Sequence, residues 1–248
     1  MKYTIVICND DAGQNIKGFL DEFKMSYYEV DKSCLDCENI DEEVEGDVYI
    51  FATTHKSEKG DVSLTVHAPG NFGKAELGGK DKELCVAPAS LIKKMYLELK
   101  KRFEGVVSLE VTHHGPFMKK PACFLEIGSS EKEWNDKELG KIIAEVLRDS
   151  LGKEEKCKTL IGIGGNHYPH DFNKILDRTE YAIGHICPKY NLENLDENML
   201  KQMLERNLEE VDLVAVDWKG LGQNKAKVKE LLEKLKTKYK KTKELRSV

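Results

Sequence analysis

Each of the seven histidines in this 248-residue chain lies at or near the end of a predicted strand, or in a loop rich in glycine and proline. In an open α/β sheet, ligands bind beyond the carboxyl ends of the strands. Imidazole is suited to general acid–base chemistry and to metal binding near neutral pH. A single histidine in such a place is ordinarily a hydrogen-bonded structural residue, but seven together indicate a site built from histidine. The seven are His55, His67, His113, His114, His167, His170 and His185.

The segment EVTHHGP at 110–116 is the sharpest of these patterns. Neighbouring side chains of a strand point to opposite faces, so one of His113 and His114 can enter a site while the other packs, unless the strand ends between them. The next predicted strand carries Glu126 inside an apolar run. Because an unpaired buried carboxylate is costly, Glu126 is either held in a structural pair or acts as a base or metal ligand.

The segment GIGGNHYPH follows another predicted strand. Gly164 and Gly165 allow close approach of the backbone and can direct N–H groups at an oxyanion or a phosphate. It is not a dinucleotide-binding fingerprint, since His167 stands in place of the third glycine. Pro169 disfavours a regular helix that carries both His167 and His170, so we expect both in a loop. Histidines and carboxylates suit zinc, and the spacing alone leaves zinc as one option.

Strand-like and helix-like patterns alternate along the chain, which predicts a three-layer α/β fold. A short connection between residues 48 and 68 predicts a mixed sheet, and the Gly- and Lys-rich segment 69–82 predicts a long binding loop. The predicted strands are Tyr3–Cys8, Val48–Thr53, Ser63–Ala68, Val107–His113, Ala122–Ile127, Thr159–Ile163, Ala182–Ile186 and Leu213–Val216. The predicted helices are Asn15–Lys24, Ala89–Phe103, Lys132–Leu151, Glu197–Asn207 and Asn224–Lys238.

Composition excludes several classes of protein. Hydrophobic residues make up 40% and charged residues 33% of the chain, which is typical of a globular protein. The sequence contains no apolar run long enough to span a bilayer and no signal-peptide pattern, so we expect a cytoplasmic protein. The net charge of −5 disfavours bulk affinity for nucleic acid. However, a basic helix is predicted at about 224–246, and its lysines form either a solvated face or a phosphate-binding patch.

The seven cysteines are scattered along the sequence. Five of them lie in or beside apolar runs and are predicted to be buried reduced thiols, namely Cys8, Cys85, Cys123, Cys157 and Cys187. Cys34 and Cys37 form a CxxC pair without the second pair that a structural zinc site needs. The pair is therefore a weak indication of metal or redox chemistry.

Five segments together resemble the motif series of the archaeal-type D-aminoacyl-tRNA deacylases, which are also found in plants. They are HKSEKG (55–60), LTVHAPGN (64–71), SLEVTHHGP (108–116) with LEIGSSEKEW (125–134), GIGGNHY (162–168) and GHICPKY (184–190). The order and spacing fit from residue 1 to about 220. The resemblance implies a three-layer α/β/α fold of the phosphorylase/hydrolase-like type, related in shape to peptidyl-tRNA hydrolase. It also implies zinc as the cofactor and tRNA that carries a D-amino acid as the substrate. We expect a single deacylase domain over residues 1–248, acting as a monomer.

On this basis we expect a water molecule to attack the ester carbonyl that joins the amino acid to tRNA. The predicted catalytic residues are His113, Glu126 and His167. The predicted metal ligands are His113, His114, His167 and His185, with His55 and His67 as further candidates. Oxyanion donors are expected from the backbone of Gly164, Gly165 and Asn166, and contacts to the 3′ end of tRNA from Lys56, Lys80 and Lys189.

Three alternatives remain open from the sequence. The first is a zinc-dependent amide hydrolase, such as an exopeptidase or a peptidyl-tRNA hydrolase. The second is a non-catalytic module that binds tRNA through its basic C-terminal segment, which leaves the clustering of histidines unexplained. The third is a nucleoside phosphorylase. If no metal acts, the same histidines are expected to serve as base and orienting group.

Overall fold

The computed structural model describes residues 1–57, 60–152 and 156–246, so Glu58 and Lys59 of the HKSEKG motif lie outside the described residues. The strands are β1 (Tyr3–Ile7), β2 (Tyr28–Glu29), β3 (Val48–Lys56), β4 (Ser63–His67), β5 (Val106–Leu109), β6 (Ala122–Ser129), β7 (Thr159–Ile163), β8 (Ala182–Cys187), β9 (Val211–Val216) and β10 (Tyr239–Lys241). The helices are α1 (Asp11–Glu22), α2 (Ile40–Glu43), α3 (Ala89–Arg102), α4 (Glu131–Trp134), α5 (Lys137–Ser150), α6 (His170–Arg178), α7 (Glu197–Glu205), α8 (Lys225–Lys234) and α9 (Thr242–Leu245). Within these ranges, no helix is long and apolar enough to cross a membrane.

The strands form two sheets. The larger has the order β2–β1–β3–β6–β4–β5, in which β4 runs antiparallel to β6 and the other described pairs are parallel. The smaller has the order β10–β9–β7–β8 and its described pairs are all parallel. The prediction of an α/β fold with a mixed sheet is therefore confirmed. The strands that we predicted for one central sheet are shared between two.

Each sheet is the middle layer of three, because its central strands are apolar on both faces. In β3, Ile50 packs in the core formed with α1, α3 and α5, whereas Phe51 packs on the opposite face against segment 30–40. In β7, Leu160 belongs to the same core as Ile50, while Ile161 packs against α7 and α8. The shared core joins the two sheets and fixes their adjacent edges.

Residues 110–116 run from the larger sheet to the smaller one. Strand β5 ends at Leu109 because the backbone beyond it pairs elsewhere, and the N–H of Val111 donates to the carbonyl of His167 in the loop after β7. The predicted strand Val107–His113 was therefore too long at its C-terminal end. This segment brings its own side chains against those of the loop after β7.

In the middle of the chain, one predicted helix is divided in two and one helix was not predicted. The helix predicted at Lys132–Leu151 is divided into α4 and α5, since the side chain of Asp136 caps α5 by accepting from the N–H of Glu138. Helix α6 was not predicted, and it begins at His170, which we expected in a loop. Pro169 stands at the helix N-cap, where its missing N–H costs no intrahelical hydrogen bond.

The basic C-terminal segment is not one helix. Both the predicted helix Asn224–Lys238 and the basic helix at about 224–246 extend beyond the observed end of α8 at Lys234. Lys236 adopts a left-handed backbone (φ 52°), which reverses the chain. The chain then forms β10, which pairs in parallel with β9, and ends in the short helix α9.

The cysteines also differ from the prediction. Cys8 follows β1 and forms a disulfide with Cys34, whose Cα lies 5.5 Å away, so Cys8 is not the reduced thiol that we predicted. Cys34 therefore pairs with Cys8 rather than with Cys37 of the CxxC sequence. Cys37 is a free, buried thiol, and burial raises its pKa to about 11. The disulfide holds segment 30–37 against the end of β1.

Candidate active site

Five imidazoles surround two buried carboxylates where the two sheets meet. The imidazoles belong to His55, His67, His113, His114 and His167, and the carboxylates to Glu110 and Glu126. Glu126 lies in β6, where its register partners are Thr53 of β3 and Thr65 of the antiparallel strand β4. His55 and His67 lie near the C-terminal ends of those same two strands. The mixed sheet thus places one histidine on each side of the Glu126 carboxylate.

The turn at 113–115 directs two neighbouring imidazoles into the cluster. His114 has a left-handed backbone (φ 43°), which breaks the alternation of side chains expected in a strand. The ring centroids of His113 and His114 are consequently only 4.2 Å apart. Gly115 packs so closely on Gly79 that an added Cβ would lie 2.1 Å from the Gly79 nitrogen. This contact holds the loop 69–82 against the histidine turn.

Glu110 is the most enclosed member of the cluster and contacts three imidazoles. Its Oε2 lies 2.7 Å from Nε2 of His167 and 3.4 Å from Nε2 of His113, while its Oε1 lies 3.1 Å from Nδ1 of His55. Both oxygens are buried, and among the described residues neither has a well-aligned hydrogen-bond donor. The imidazoles therefore make close charge contacts with Glu110, and its two oxygens can still accept a proton or bind a cation.

Glu126 contacts the two histidines that lie near the ends of its neighbouring strands. Its Oε2 lies 3.4 Å from Nδ1 of His55 and 3.7 Å from Nε2 of His67, and it accepts a hydrogen bond from Thr65. Burial raises the pKa of both Glu110 and Glu126, but the surrounding imidazoles lower it by more, so each pKa lies below its ordinary value. Both carboxylates are therefore ionised at neutral pH.

The rings of His67, His113 and His114 present one nitrogen each toward a common point. In all three, Nδ1 faces a backbone carbonyl oxygen, at 3.2 Å, 2.8 Å and 2.7 Å respectively. A carbonyl only accepts, so each Nδ1 carries a proton, and Nε2 keeps its lone pair in each ring that is neutral. Burial lowers the pKa of His67, but the Glu126 carboxylate 3.7 Å from its Nε2 raises it by more, so the pKa of His67 lies above its ordinary value. One ring nitrogen from each lies within 4.8 Å of the others. Burial lowers the pKa of His113 well below its ordinary value and that of His114 to about 4, which keeps both rings neutral.

A second group lies on the other side of Glu110. His55, Glu110 and His167 also place one ligand-type atom each within 4.8 Å of one another. The Nε2 of His55 lies 3.0 Å from the hydroxyl of Tyr168, which in turn lies 3.2 Å from the hydroxyl of Ser63. Both nitrogens of His55 thus have partners, and this ring is held in place by its surroundings.

Comparison with known proteins places this chain in one family. A family model described as D-aminoacyl-tRNA deacylase matches residues 42–240, which span the cluster from His55 to His167. The chain belongs to the D-aminoacyl-tRNA deacylase family. D-aminoacyl-tRNA deacylases are among the curated relatives. One from Cenarchaeum symbiosum is 38% identical over 82% of this chain and 81% of its own length, and one from Methanocaldococcus jannaschii is 37% identical over 94% and 96%.

Similarity extends to the three-dimensional structure. A crystal structure of a conserved protein of unknown function superposes with a TM-score of 0.92 at 30% sequence identity. The superposition covers 99% of this chain and 97% of the other. The two-sheet fold therefore recurs outside this chain.

The cluster of this deacylase contains four of the five residues that we predicted as catalytic groups or metal ligands. His113, His114, His167 and Glu126 meet there, together with the further candidates His55 and His67. His185 does not join them. Its Nε2 donates toward the carbonyls of Cys85 and Arg206, each at 2.9 Å, and its Nδ1 accepts from the hydroxyl of Thr112 at 3.1 Å.

Because both ring nitrogens of His185 are used, no lone pair remains for a metal, and its prediction as a metal ligand is wrong. Burial lowers its pKa to about 4, which fits a neutral structural imidazole.

The predicted oxyanion donors are also changed by the structure. The N–H of Gly164 donates to the carbonyl of Cys187 at 2.8 Å, so Gly164 cannot serve as we predicted. Gly165 and Gly164 both have positive φ, at 93° and 97°, which turns the loop so that His167 faces the cluster. Asn166 is exposed beside His167.

The three predicted lysines lie in different surroundings. Lys56 lines a cavity that opens onto the cluster, together with His55. Lys189 is exposed in the turn after β8. The ammonium of Lys80 lies 4.1 Å above the ring of Phe117, which holds this side chain on the loop 69–82.

Sequence reasoning did not identify Glu110 or Tyr168 as site residues. Glu110 opens the EVTHHGP segment, and it was treated as an ordinary residue of a strand that we predicted too long. The signal was present, since a glutamate between Leu109 and Val111 resembles Glu126 in its apolar context. Tyr168 immediately follows His167, and no pattern in the sequence indicates its contact with His55.

Proposed function

We propose that this deacylase hydrolyses the ester bond between a D-amino acid and the 3′-terminal ribose of tRNA, and that the histidine–carboxylate cluster is its active site. Family membership supports the reaction, since the curated relatives carry the name D-aminoacyl-tRNA deacylase. The observation that supports the location is the meeting of five imidazoles and two ionised carboxylates. The products are free tRNA and the free D-amino acid.

The residues of the cluster suit the activation of water. The Nε2 of His167 lies 2.7 Å from the Glu110 carboxylate, so we assign the proton to this nitrogen, and Nδ1 then keeps its lone pair and faces the hydroxyl of Tyr190 at 3.4 Å. We assign His167 as the general base and Glu110 as the group that fixes its tautomer and stabilises the imidazolium that forms. Water that attacks the ester carbonyl transfers its proton to Nδ1 of His167, which then donates it to the leaving ribose oxygen.

The donor set also fits a zinc ion, which we propose as the cofactor. His67, His113 and His114 would hold it through Nε2, because each Nδ1 is anchored on a backbone carbonyl, as is usual for zinc-binding histidines. The Nε2 of His67 is buried and has no hydrogen-bond partner among the described residues. A bound zinc ion would polarise the ester carbonyl and lower the pKa of a bound water. Glu126 lies beside this proposed site, 3.7 Å from Nε2 of His67 and 3.4 Å from Nδ1 of His55, and would add negative charge next to the ion.

The test is deacylation of matched D-Tyr-tRNA and L-Tyr-tRNA, with and without a chelator. We expect rapid release of D-tyrosine only, lost with the chelator and restored by zinc. Equal release of both enantiomers would remove the selectivity for the D-amino acid. No release of tyrosine, together with hydrolysis of peptides, would replace the proposal by an amide hydrolase, whereas hydrolysis of N-blocked aminoacyl-tRNA instead would indicate an esterase with another acyl specificity. The substrate is a cytoplasmic molecule, so the proposal includes a cytoplasmic enzyme, and we propose that it acts as a monomer.

A further inference from the structure

Two cavities that share His113 in their lining open onto the cluster. One, which we name the carboxylate cavity, has a volume of about 380 Å³ and is lined by Asp10, Glu126 and His55 among others. The other, which we name the tyrosine cavity, has a volume of about 450 Å³ and is lined by Tyr190 and Thr112 among others. His113 lines both. Each volume lies in the range of small-molecule sites, roughly 300–1,000 Å³.

The tyrosine cavity has the chemistry of a nucleoside site. Tyr190 is 56% exposed although its ring is large, and its hydroxyl lies 3.4 Å from Nδ1 of His167. An exposed aromatic ring beside a reacting group is a surface on which a base can stack. The side chains of Asn71, Asn191 and Asn194 line the same cavity. Asn71 donates to the carbonyl of Gly78 and Asn194 donates to Oδ1 of Asn191, and the rest of their hydrogen-bonding capacity can face the edge of a base.

Charge separates the two cavities. The tyrosine cavity carries Lys74 and Glu76, and Lys189 is the exposed neighbour of Tyr190, which gives its rim a positive balance toward phosphate. The carboxylate cavity instead carries Asp10, which accepts hydrogen bonds from Gly13 and Thr53. Asp10 and Glu126 outnumber the one lysine of this cavity, Lys56, so its lining favours an ammonium group over a phosphate.

We propose that the tyrosine cavity binds the terminal adenosine of tRNA, with its base stacked on Tyr190, and that the carboxylate cavity receives the aminoacyl group. This inference rests on the proposed function. It follows from the substrate, since an aminoacyl ester joins an α-ammonium group to a nucleotide through the bond that is cleaved. With one part in each cavity, the ester carbonyl lies against His113 and His167. The phosphates of the 3′ end then run past Lys74 and Lys189.

The first experiment measures kcat and KM for D-Tyr-tRNA in three variants. Tyr190→Ala is expected to raise KM about tenfold to a hundredfold, since stacking on an aromatic ring contributes ~1–3 kcal/mol per base. Tyr190→Phe keeps the ring but removes the hydroxyl near His167, and it is expected to restore the low KM. Tyr28→Ala is the matched control, because Tyr28 is 39% exposed on the edge strand β2 and lines neither cavity.

The second experiment separates this inference from the proposed function, because it needs no turnover. The dissociation constants of the uncharged trinucleotide CCA and the dinucleotide CC are measured by fluorescence anisotropy. Wild-type protein is expected to bind CCA more tightly than CC, and Tyr190→Ala is expected to remove this difference. That result, without hydrolysis of D-Tyr-tRNA, would overturn the proposed function but retain the nucleoside site.

Two results would overturn the nucleoside site while the proposed function stands. One is an unchanged KM in Tyr190→Ala together with equal affinity of wild-type protein for CCA and CC. The other is a lower kcat at unchanged KM in both Tyr190→Ala and Tyr190→Phe. This second pattern would mean that the Tyr190 hydroxyl acts only by positioning His167.

Discussion

Glu110 Oε2 lies 2.7 Å from Nε2 of His167, although Glu110 follows a strand of the larger sheet and His167 follows a strand of the smaller one. The contact is set by the segment 110–116, whose backbone leaves β5 and bonds to the loop after β7. The proposed base and its orienting carboxylate are thus brought together by the junction of the two sheets rather than by one element. Glu110 and His167 can therefore be replaced one at a time to test their separate roles.

Replacement of the orienting carboxylate is expected to lower turnover without unfolding the protein. Glu110→Gln keeps the shape of the side chain but removes the charge that favours the imidazolium of His167. We expect kcat for D-Tyr-tRNA to fall by about a hundredfold or more, within the usual contribution of general acid–base catalysis. Glu104→Gln is the control, because Glu104 is an exposed glutamate outside the cluster. Equal rates in the two variants would show that Glu110 has no role in the reaction.

Loss of the proposed base is expected to be as severe. His167→Ala should reduce kcat by roughly 10²- to 10⁴-fold, since Nδ1 of this ring receives the proton of the attacking water. His170 lies three residues away and is exposed at the start of α6, so His170→Ala is a matched control. Single-turnover rates with saturating protein measure the chemical step directly. A loss of activity shared by both variants would point to disruption of the loop.

The proposed zinc site can be tested by the zinc content of the protein as well as by the rate of deacylation. Protein purified without chelator is expected to contain zinc, and His114→Ala is expected to lose most of it because one of three convergent nitrogens is removed. Zinc content measured by atomic absorption should remain normal in His170→Ala. Full zinc content in His114→Ala would exclude this ring as a ligand and move the proposed site toward His55 and His167.

The sequence could predict which segments meet at the site, because the histidines at 55, 67, 113, 114 and 167 all occupy strand ends or the loops that follow them. It could not predict which groups each imidazole ring contacts. His185 has the same sequence environment as the others, near the end of a predicted strand, yet its ring is enclosed by two carbonyls and a hydroxyl. Such partners come from segments about 20 to 100 residues away, which a local pattern does not contain.

The fold shows the same limit. Alternating strands and helices predicted the α/β class, since this depends on local periodicity, and the short connection between residues 48 and 68 predicted the mixed sheet. The division into two sheets depends on where residues 110–116 find their hydrogen-bond partners, and this is a tertiary choice. Likewise, the helical pattern of the basic segment continues past Lys234, but pairing of β10 with β9 overrides it.

His185 is expected to matter for stability rather than for metal binding. His185→Ala leaves the buried carbonyl of Cys85 without its donor and the O–H of Thr112 without its acceptor. It should lower the free energy of unfolding by about 2–4 kcal/mol. Urea denaturation measures this loss, and zinc content should stay at the wild-type level. If the variant kept its stability but lost zinc, His185 would be a ligand after all.

The same residue predicts how stability depends on pH. Burial lowers the pKa of His185 to about 4 in the folded protein, whereas a histidine in the unfolded chain has a pKa of ~6.5. Between these values the unfolded chain binds more protons, so the stability from His185 is present above about pH 6.5 and lost as pH falls toward 4. From pH 7 to pH 5 this loss is about 2 kcal/mol.

Urea unfolding at both pH values, with chelator present throughout, should show a smaller drop in His185→Asn than in the wild-type protein. The comparison isolates His185, because the other histidines titrate in both proteins. An identical drop in the two proteins would mean that His185 is not held neutral by the fold.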